Sequence, residues 1–266
     1  MAFTIWGGVA RVIYSMLPLV VVLSSAAQER NTPTIDDLRK AAELGDATAQ
    51  FNLGFMYYRG EGVPKDDAEA VKWFRKAAEQ GDAGAQFNLG VMYANGEGVP
   101  KDDAEAVKWY RKAANQGDAM AQVNLGVMYA NGEGVPKDDA EAVKWYRKAA
   151  EQGDAMGQGK LGLMYANGKG VPEDDAEAVK WYRKAANQGD AGFQASLGFM
   201  YLLGQGVPKD DVEAYVWFNL AGQTDEEARE NRDEISNDMT SEQIAEAQKR
   251  SRAFVAKPSP VTRGIQ

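Results

Sequence analysis

Five pairs of adjacent aspartates are the residues best placed to do chemistry: Asp66/Asp67, Asp102/Asp103, Asp138/Asp139, Asp174/Asp175 and Asp210/Asp211. Neighbouring carboxylates can bind a hard cation. Each pair follows a glycine-rich stretch, GEGVPK or a close variant, and such loops can cradle a phosphate. Neither use fits the pattern. The loops lack the Lys-Ser/Thr step of a phosphate loop, and no strand precedes them. An active site is usually made once, whereas these pairs recur every 36 residues. The chain also has no His and no Cys. That removes imidazole acid/base work, thiol nucleophiles, thiolate or imidazole metal sites and disulfides. Only carboxylates, Lys, Tyr and Ser/Thr remain, and no catalytic residue, cofactor site or metal site is assigned. The pairs read instead as helix starts, where a carboxylate caps free amides and complements the helix dipole.

The elements that carry these pairs repeat with them. Leu-Gly recurs at Gly54, Gly90, Gly126, Gly162 and Gly198, and Pro64, Pro100, Pro136, Pro172 and Pro208 follow in step. Trp73, Trp109, Trp145, Trp181 and Trp217 keep the same register. Such a period signals a solenoid with one supersecondary unit per repeat. In the unit Asp82 to Gly117, Asp82 is an N-cap and Ala85, Leu89, Met92 and Tyr93 fall at helical spacing. Gly96 stops that helix. A second helix starts at Asp102, with Glu105 placed for a capping box, and buries Ala106, Trp109, Tyr110 and Ala113. The unit is thus two antiparallel helices of roughly 12–14 residues each. Gly90 and its equivalents let the helices approach. Tyr57, Tyr93, Tyr129, Tyr165 and Tyr201 sit at core spacing, and the Lys and Arg of the second helices are balanced by acids on a solvated outer face. Glu97 and Lys101 exchange signs as Lys169 and Glu173 in a later copy, so the two positions are expected to pair across the loop.

One pattern sums up the unit: Ala85–Leu89–Gly90–Tyr93–Gly96–Gly98–Val99–Pro100–Asp102, then Ala106–Trp109–Ala113–Ala114–Gly117. It resembles the Sel1-like repeat, a relative of the tetratricopeptide repeat. The resemblance covers roughly residues 34 to 222. It implies an all-α, right-handed α/α solenoid of helix-turn-helix repeats that serves as a protein-interaction adaptor, and it implies no catalytic residues. Some relatives in bacterial envelopes are stapled by disulfides; without Cys, this chain must hold its hairpins by packing.

Comparing the copies with one another separates scaffold from candidate binding face. The second helices hardly change in the middle of the array, and the differences collect on the first helix. One stripe reads Thr48, Gly84, Met120, Met156, Gly192; the next reads Phe51, Phe87, Val123, Gly159, Ala195. Then come Phe55, Val91, Val127, Leu163, Phe199, and last Tyr58, Ala94, Ala130, Ala166, Leu202. These positions lie on one face of a helix, and in tetratricopeptide-like units the matching positions line the concave surface. The candidate partner-binding residues are therefore Thr48, Phe51, Phe55, Tyr58, Phe87, Val91, Met120, Val123, Val127, Met156, Leu163, Phe199 and Leu202. Aromatic anchors in such a groove suit an extended or helical peptide. The competing reading is that the second and third stripes pack against the next repeat.

The chain divides into residues 1–27 as a leader, 34–45 as a half-repeat, and 46–222 as five repeats (46–81, 82–117, 118–153, 154–189 and 190–222). Residues 224–256 form two capping helices, with capping boxes at Thr224–Glu227 and Thr240–Gln243, and 257–266 a disordered tail. Residues 1–27 have one charge, Arg11, then an apolar run and a small-residue ending at Ala27. That is the order of a signal peptide, so the protein is expected to be exported to a periplasmic space; the alternative is an inner-membrane anchor at residues 12–27. With a net charge of −9, nucleic acid is not an expected partner. The expected function is that of a monomeric, non-enzymatic envelope adaptor for a partner protein or peptide, with regulation of signalling among its expected roles. The alternatives are a carboxylate-dependent cell-wall hydrolase and a membrane-tethered assembly factor.

Overall fold

The computed structural model describes residues 34–254; the expected leader and tail lie outside them. The described residues form thirteen helices and no strand. A lone helix, α1 (Ile35–Glu43), comes first. Five hairpins follow: α2 (Ala47–Arg59) with α3 (Asp67–Glu79), α4 (Ala83–Asn95) with α5 (Asp103–Asn115), α6 (Ala119–Asn131) with α7 (Asp139–Glu151), α8 (Ala155–Ala166) with α9 (Asp175–Ala186), and α10 (Ala191–Leu203) with α11 (Asp211–Ala221). Helices α12 (Glu226–Ser236) and α13 (Ser241–Ala253) complete the order. Each helix packs on its successor up to α12, and α13 returns to pack on α11. None of these helices is long and apolar enough to cross a membrane.

The helix ends are set by the residues the repeat copies. Asp46, Asp82, Asp118, Asp154 and Asp190 each cap a first helix by accepting the amide three residues on, at 2.6–3.1 Å. Asp66, Asp102, Asp138, Asp174 and Asp210 do the same for the second helices. The second aspartate of most pairs faces a lysine: Lys65–Asp67, Lys101–Asp103, Lys137–Asp139 and Lys209–Asp211 lie within 3.3–3.7 Å. The paired aspartates are therefore caps and N-terminal charges. Three expectations about these ends change. Glu105 does not close a capping box; its carboxylate takes Lys108 instead. Glu97 and Lys101 do not pair, because Asp103 is the nearer partner for Lys101 and Asn95 donates to Glu97. Asp225, not Thr224, caps α12, while the Thr240–Gln243 box forms.

Buried side chains gather in a chain of clusters rather than one interior. One joins Ala70, Phe74 and Ala77 to Leu89, Met92 and Trp109; the next joins Ala106, Tyr110 and Ala113 to Leu125, Met128 and Trp145. Trp109 and Trp145 thus each join a cluster built from the second helix of the preceding unit and the first helix of their own, which ties neighbouring hairpins together. Within a unit, the copied glycine faces a ring of its partner helix. A Cβ at Gly126 would lie 2.6 Å from Tyr146, and one at Gly90 would lie 2.7 Å from Tyr110. Burial pushes the hydroxyls of Tyr110, Tyr146 and Tyr182 up.

Polar groups make the other inter-repeat ties. Gln50, Gln86, Gln122, Gln158 and Gln194 are buried, although glutamine is rarely a core residue. Gln86 donates to the Ala78 carbonyl at 3.0 Å and accepts from Gln116 at 2.8 Å, and Gln116 also donates to the Gly81 carbonyl. The unit is then satisfied at both ends, as a buried amide requires. The first-helix tyrosines are a correction. Tyr93, Tyr129, Tyr165 and Tyr201 are half-buried, and each hydroxyl accepts from an arginine of the preceding repeat: Arg75, Arg111, Arg147 and Arg183. A fully apolar core would have left those hydroxyls unpaired.

Candidate partner-binding face

The first helices present one face to solvent, and the copies differ there. Helix α6 touches α8 directly, so this face is continuous from the third unit to the fourth. Thr48, Met120 and Leu163 are exposed, Met120 at 37% and Leu163 at 41%. Phe55, Val91, Val127, Met156 and Phe199 are half-buried on the same side. Arg59 lies 5.3 Å over the Phe55 ring.

Phe51, Phe87 and Val123 lie deeper. Phe51 stacks at 6.4 Å on Phe55 and packs at 5.8 Å on Phe74; Phe87 packs at 6.0 Å on Tyr110; Val123 is buried at 7% exposure. Their equivalent Gly159 has no room for a side chain, since a Cβ there would lie 1.9 Å from Phe193 of the next unit. This row is largely the seam between repeats. The expected row Tyr58, Ala94, Ala130, Ala166 and Leu202 is half-buried throughout. Tyr58 has Lys65 5.6 Å over its ring, and burial, reinforced by Glu97, pushes its hydroxyl up.

Two rows that the sequence reading passed over belong to the solvent face. The first, Asn52, Asn88, Asn124, Lys160 and Ser196, is half-buried except at the exposed Asn52; the second, Arg59, Asn95, Asn131, Asn167 and Leu203, is exposed throughout. Leu203 is 61% exposed. With the Thr48 and Phe55 rows they complete the spacing 0, 4, 7, 11 down the helix, one turn-face of it. The signal was available, because Lys160 and Ser196 in the first row, and Arg59 and Leu203 in the second, break otherwise uniform asparagine columns. Lys160 is a half-buried cation on this face; burial pushes its ammonium down, and Asp190 opposes that shift. Burial likewise pushes the cap carboxylates Asp118 and Asp154 up against the helix-end amides that lower them. The face therefore combines exposed methyl and methylene groups with amides and a partly dehydrated charge. Such a surface can bury apolar groups of a ligand and read a few polar ones. Among the described residues, no group of three or more Asp or Glu is placed to hold a metal ion.

Comparison with known proteins follows the same units. The Sel1 repeat profile matches residues 47–82, 83–118, 119–154, 155–190 and 192–223. In structure the chain is similar to a protective antigen present in uropathogenic Escherichia coli strains that displays an SLR fold. The two are 45% identical with a TM-score of 0.74, over 77% of this chain and 44% of the other. It is also similar to a Sel1 repeat protein from Oxalobacter formigenes, at 36% identity and a TM-score of 0.66, over 73% of this chain and 83% of that one. A sel1-like repeat-containing protein of Acanthamoeba polyphaga mimivirus is 47% identical over 38 residues, 14% of this chain and 6% of the viral one. The chain thus spans less than half the length of the bacterial antigen and a small part of the viral protein.

Proposed function

The chain belongs to the Sel1 repeat family, and from that premise we propose that it is a non-enzymatic adaptor whose first-helix face binds a segment of a partner protein. One observation carries the reading. Of the four large apolar side chains most exposed among the described residues, three (Met120, Leu163 and Leu203) lie on the first helices at positions where the copies differ. Exposed apolar side chains gathered on one face mark interaction sites. Meanwhile the aspartate caps and the buried glutamines that tie the repeats are held constant. A stretch of peptide could lay an apolar side chain against each of Met120 and Leu163 while its backbone meets Asn124 and Asn131.

The proposed setting is outside the cytoplasm. It rests on the charge, apolar run and small residues of positions 1–27, with an amino-terminal membrane anchor at residues 12–27 as the other arrangement. Amino-terminal sequencing of the mature protein is expected to begin at Gln28; a start at Met1 would leave the anchored form.

The binding test pairs wild type with Met120→Glu/Leu163→Glu in capture experiments from envelope extract. Both sites are exposed, so the variant is expected to keep its helical circular dichroism and its melting temperature. It should lose the specifically captured partner. Equal capture of the same proteins by a folded variant would remove the first-helix face from the proposal.

A further inference from the structure

The opposite element of each hairpin carries a second pattern. Each second helix of the first four repeats bears an adjacent Arg–Lys pair: Arg75–Lys76, Arg111–Lys112, Arg147–Lys148 and Arg183–Lys184. The neighbouring lysines Lys72, Lys108, Lys144 and Lys180 are neutralised on their own helices by Glu69, Glu105, Glu141 and Glu177. None of the eight Arg–Lys cations forms an ion pair among the described residues, although the chain as a whole is acidic. They are held by aromatic groups instead. Lys76, Lys112, Lys148 and Lys184 sit 3.8–4.1 Å over Trp73, Trp109, Trp145 and Trp181. Each arginine donates to the tyrosine hydroxyl of the next repeat. The four lysines are exposed, so one side of each ammonium lies on a ring and the other meets water.

Shallow recesses lie beside this row. One of about 370 Å3 is walled by Trp109, Lys108, Arg111 and Lys112 with Glu105 and Asn115 at its edge, and one of about 300 Å3 occupies the same place on the preceding repeat beside Trp73, edged by Glu69 and Glu79. Cations fixed on aromatic faces lose little further freedom when an anion binds, which favours association over that with free lysines.

We propose that the second-helix face is a docking strip for an acidic polypeptide segment, with a carboxylate of the ligand at each Arg–Lys pair. Charge complementarity identifies the occupant. Glutamates flank the pairs on every one of these helices, and the chain's net charge is −9. A duplex nucleic acid, with a charge per roughly 1.7 Å, would press its phosphates against those glutamates, and a flat anionic membrane would meet them too. A polypeptide can space its carboxylates to the repeat and place uncharged side chains between them.

The probe is a fluorescent peptide whose glutamates are separated by glycine and serine, titrated with the full chain and followed by anisotropy. Saturable binding is expected at low salt and should weaken as the screening length falls from about 30 Å to about 8 Å. Replacing Lys76, Lys112, Lys148 and Lys184 with Gln should weaken it by roughly tenfold or more. A matched variant with Lys65, Lys101, Lys137 and Lys209 replaced by Gln removes the same number of charges from positions outside these recesses that are already paired with Asp67, Asp103, Asp139 and Asp211, and should change binding far less. Circular dichroism checks that both variants stay folded. No saturable binding, or equal losses in the two variants, overturns the proposal. Tighter binding of duplex DNA or of phosphatidylglycerol vesicles than of this spaced acidic peptide overturns the assigned ligand class and with it the proposal.

Discussion

Asp154 performs two tasks that oppose each other. As N-cap of α8 it accepts the Gly157 amide at 2.7 Å, which favours its ionised form. Packing beneath the neighbouring repeat strips water from the same carboxylate, and the nearby Asp118 adds repulsion, so the balance raises its affinity for a proton. The sign of the consequence is fixed. A carboxyl whose folded pKa is raised binds protons more tightly folded than unfolded, so its contribution is fully present below 3.8 and is lost as pH rises through the raised value. Asparagine caps a helix about as well as aspartate and carries no charge to desolvate. Asp154→Asn is therefore expected to raise the melting temperature relative to wild type at neutral pH more than it does below pH 3.8. A difference that does not vary with pH, or that runs the other way, would show that the cap carboxylate is not dehydrated.

Within an element, two magnitudes compete at the glycines. Glycine in a helix interior costs about 1 kcal/mol against alanine, so each copied Gly-to-Ala change should stabilise by propensity alone. At Gly126 the added Cβ would lie 2.6 Å from the Tyr146 ring, and over-packing a tight contact costs typically about 1–3 kcal/mol. Packing wins, so Gly126→Ala is expected to lower stability in urea melts, and Gly126→Leu to lower it further. Gly192 is the contrast. It is an exposed helical glycine whose Cβ would meet only the Asp190 carboxylate at 3.4 Å, and Gly192→Ala should hold or raise stability by up to about 1 kcal/mol. If both glycines respond alike, the close approach of α6 and α7 is not what the copied glycine serves.

The junction between hairpins obeys a related rule. At the first three junctions the residues in register with Gly159 and Phe193 are a larger one followed by a small one: Phe51 and Ala85, Phe87 and Ala121, Val123 and Gly157. At the fourth the order inverts, and Phe193 fills the place that Gly159 leaves empty; its ring stacks 6.1 Å from Tyr182. Gly159→Val and Phe193→Ala should each destabilise singly, by clash and by cavity. Together they restore the arrangement of the other junctions, so a double-mutant cycle is expected to show coupling of about 0.5–3 kcal/mol. Additive losses would mean that the two positions do not share one space.

At the scale of the stacked repeats, stability is a chain of neighbour contacts, and the last repeat needs a neighbour that is not a repeat. Helices α12 and α13 supply it. Phe254 meets Trp217 edge-on at 5.8 Å, and Ala228, Ile235 and Ala247 complete the cluster around Phe218 and Leu220. Their other sides are polar: Glu226, Glu227, Glu230 and Glu234 are all exposed. Each large apolar side chain uncovered costs about 1.5–3 kcal/mol. A chain ending at Gly222 is therefore expected to lose on the order of 5 kcal/mol and to aggregate on heating. An unchanged melt in that truncation would show that the fifth repeat closes the stack unaided.

The sequence by itself determined the repeat, its period, the two helices of each unit and nearly all their caps. Those features are local: an aspartate three residues before a free amide, or a glycine after the last turn, acts within a few residues of itself. It also separated constant from variable positions, and so located the first helices as the candidate binding elements. What it could not decide is which variable residues face water. Phe51, Phe55 and Thr48 share one side of one helix, yet Phe51 lies against Phe74, in the partner helix of its own hairpin, while Thr48 is exposed. The same limit hid the buried glutamines, the Arg–Tyr ties and the exchange of Gly159 for Phe193, whose partners lie 8 to 34 residues away. A periodic pattern fixes the direction of a side chain on its own helix; only the docking of one helix on the next decides whether that direction ends in solvent or in a neighbour.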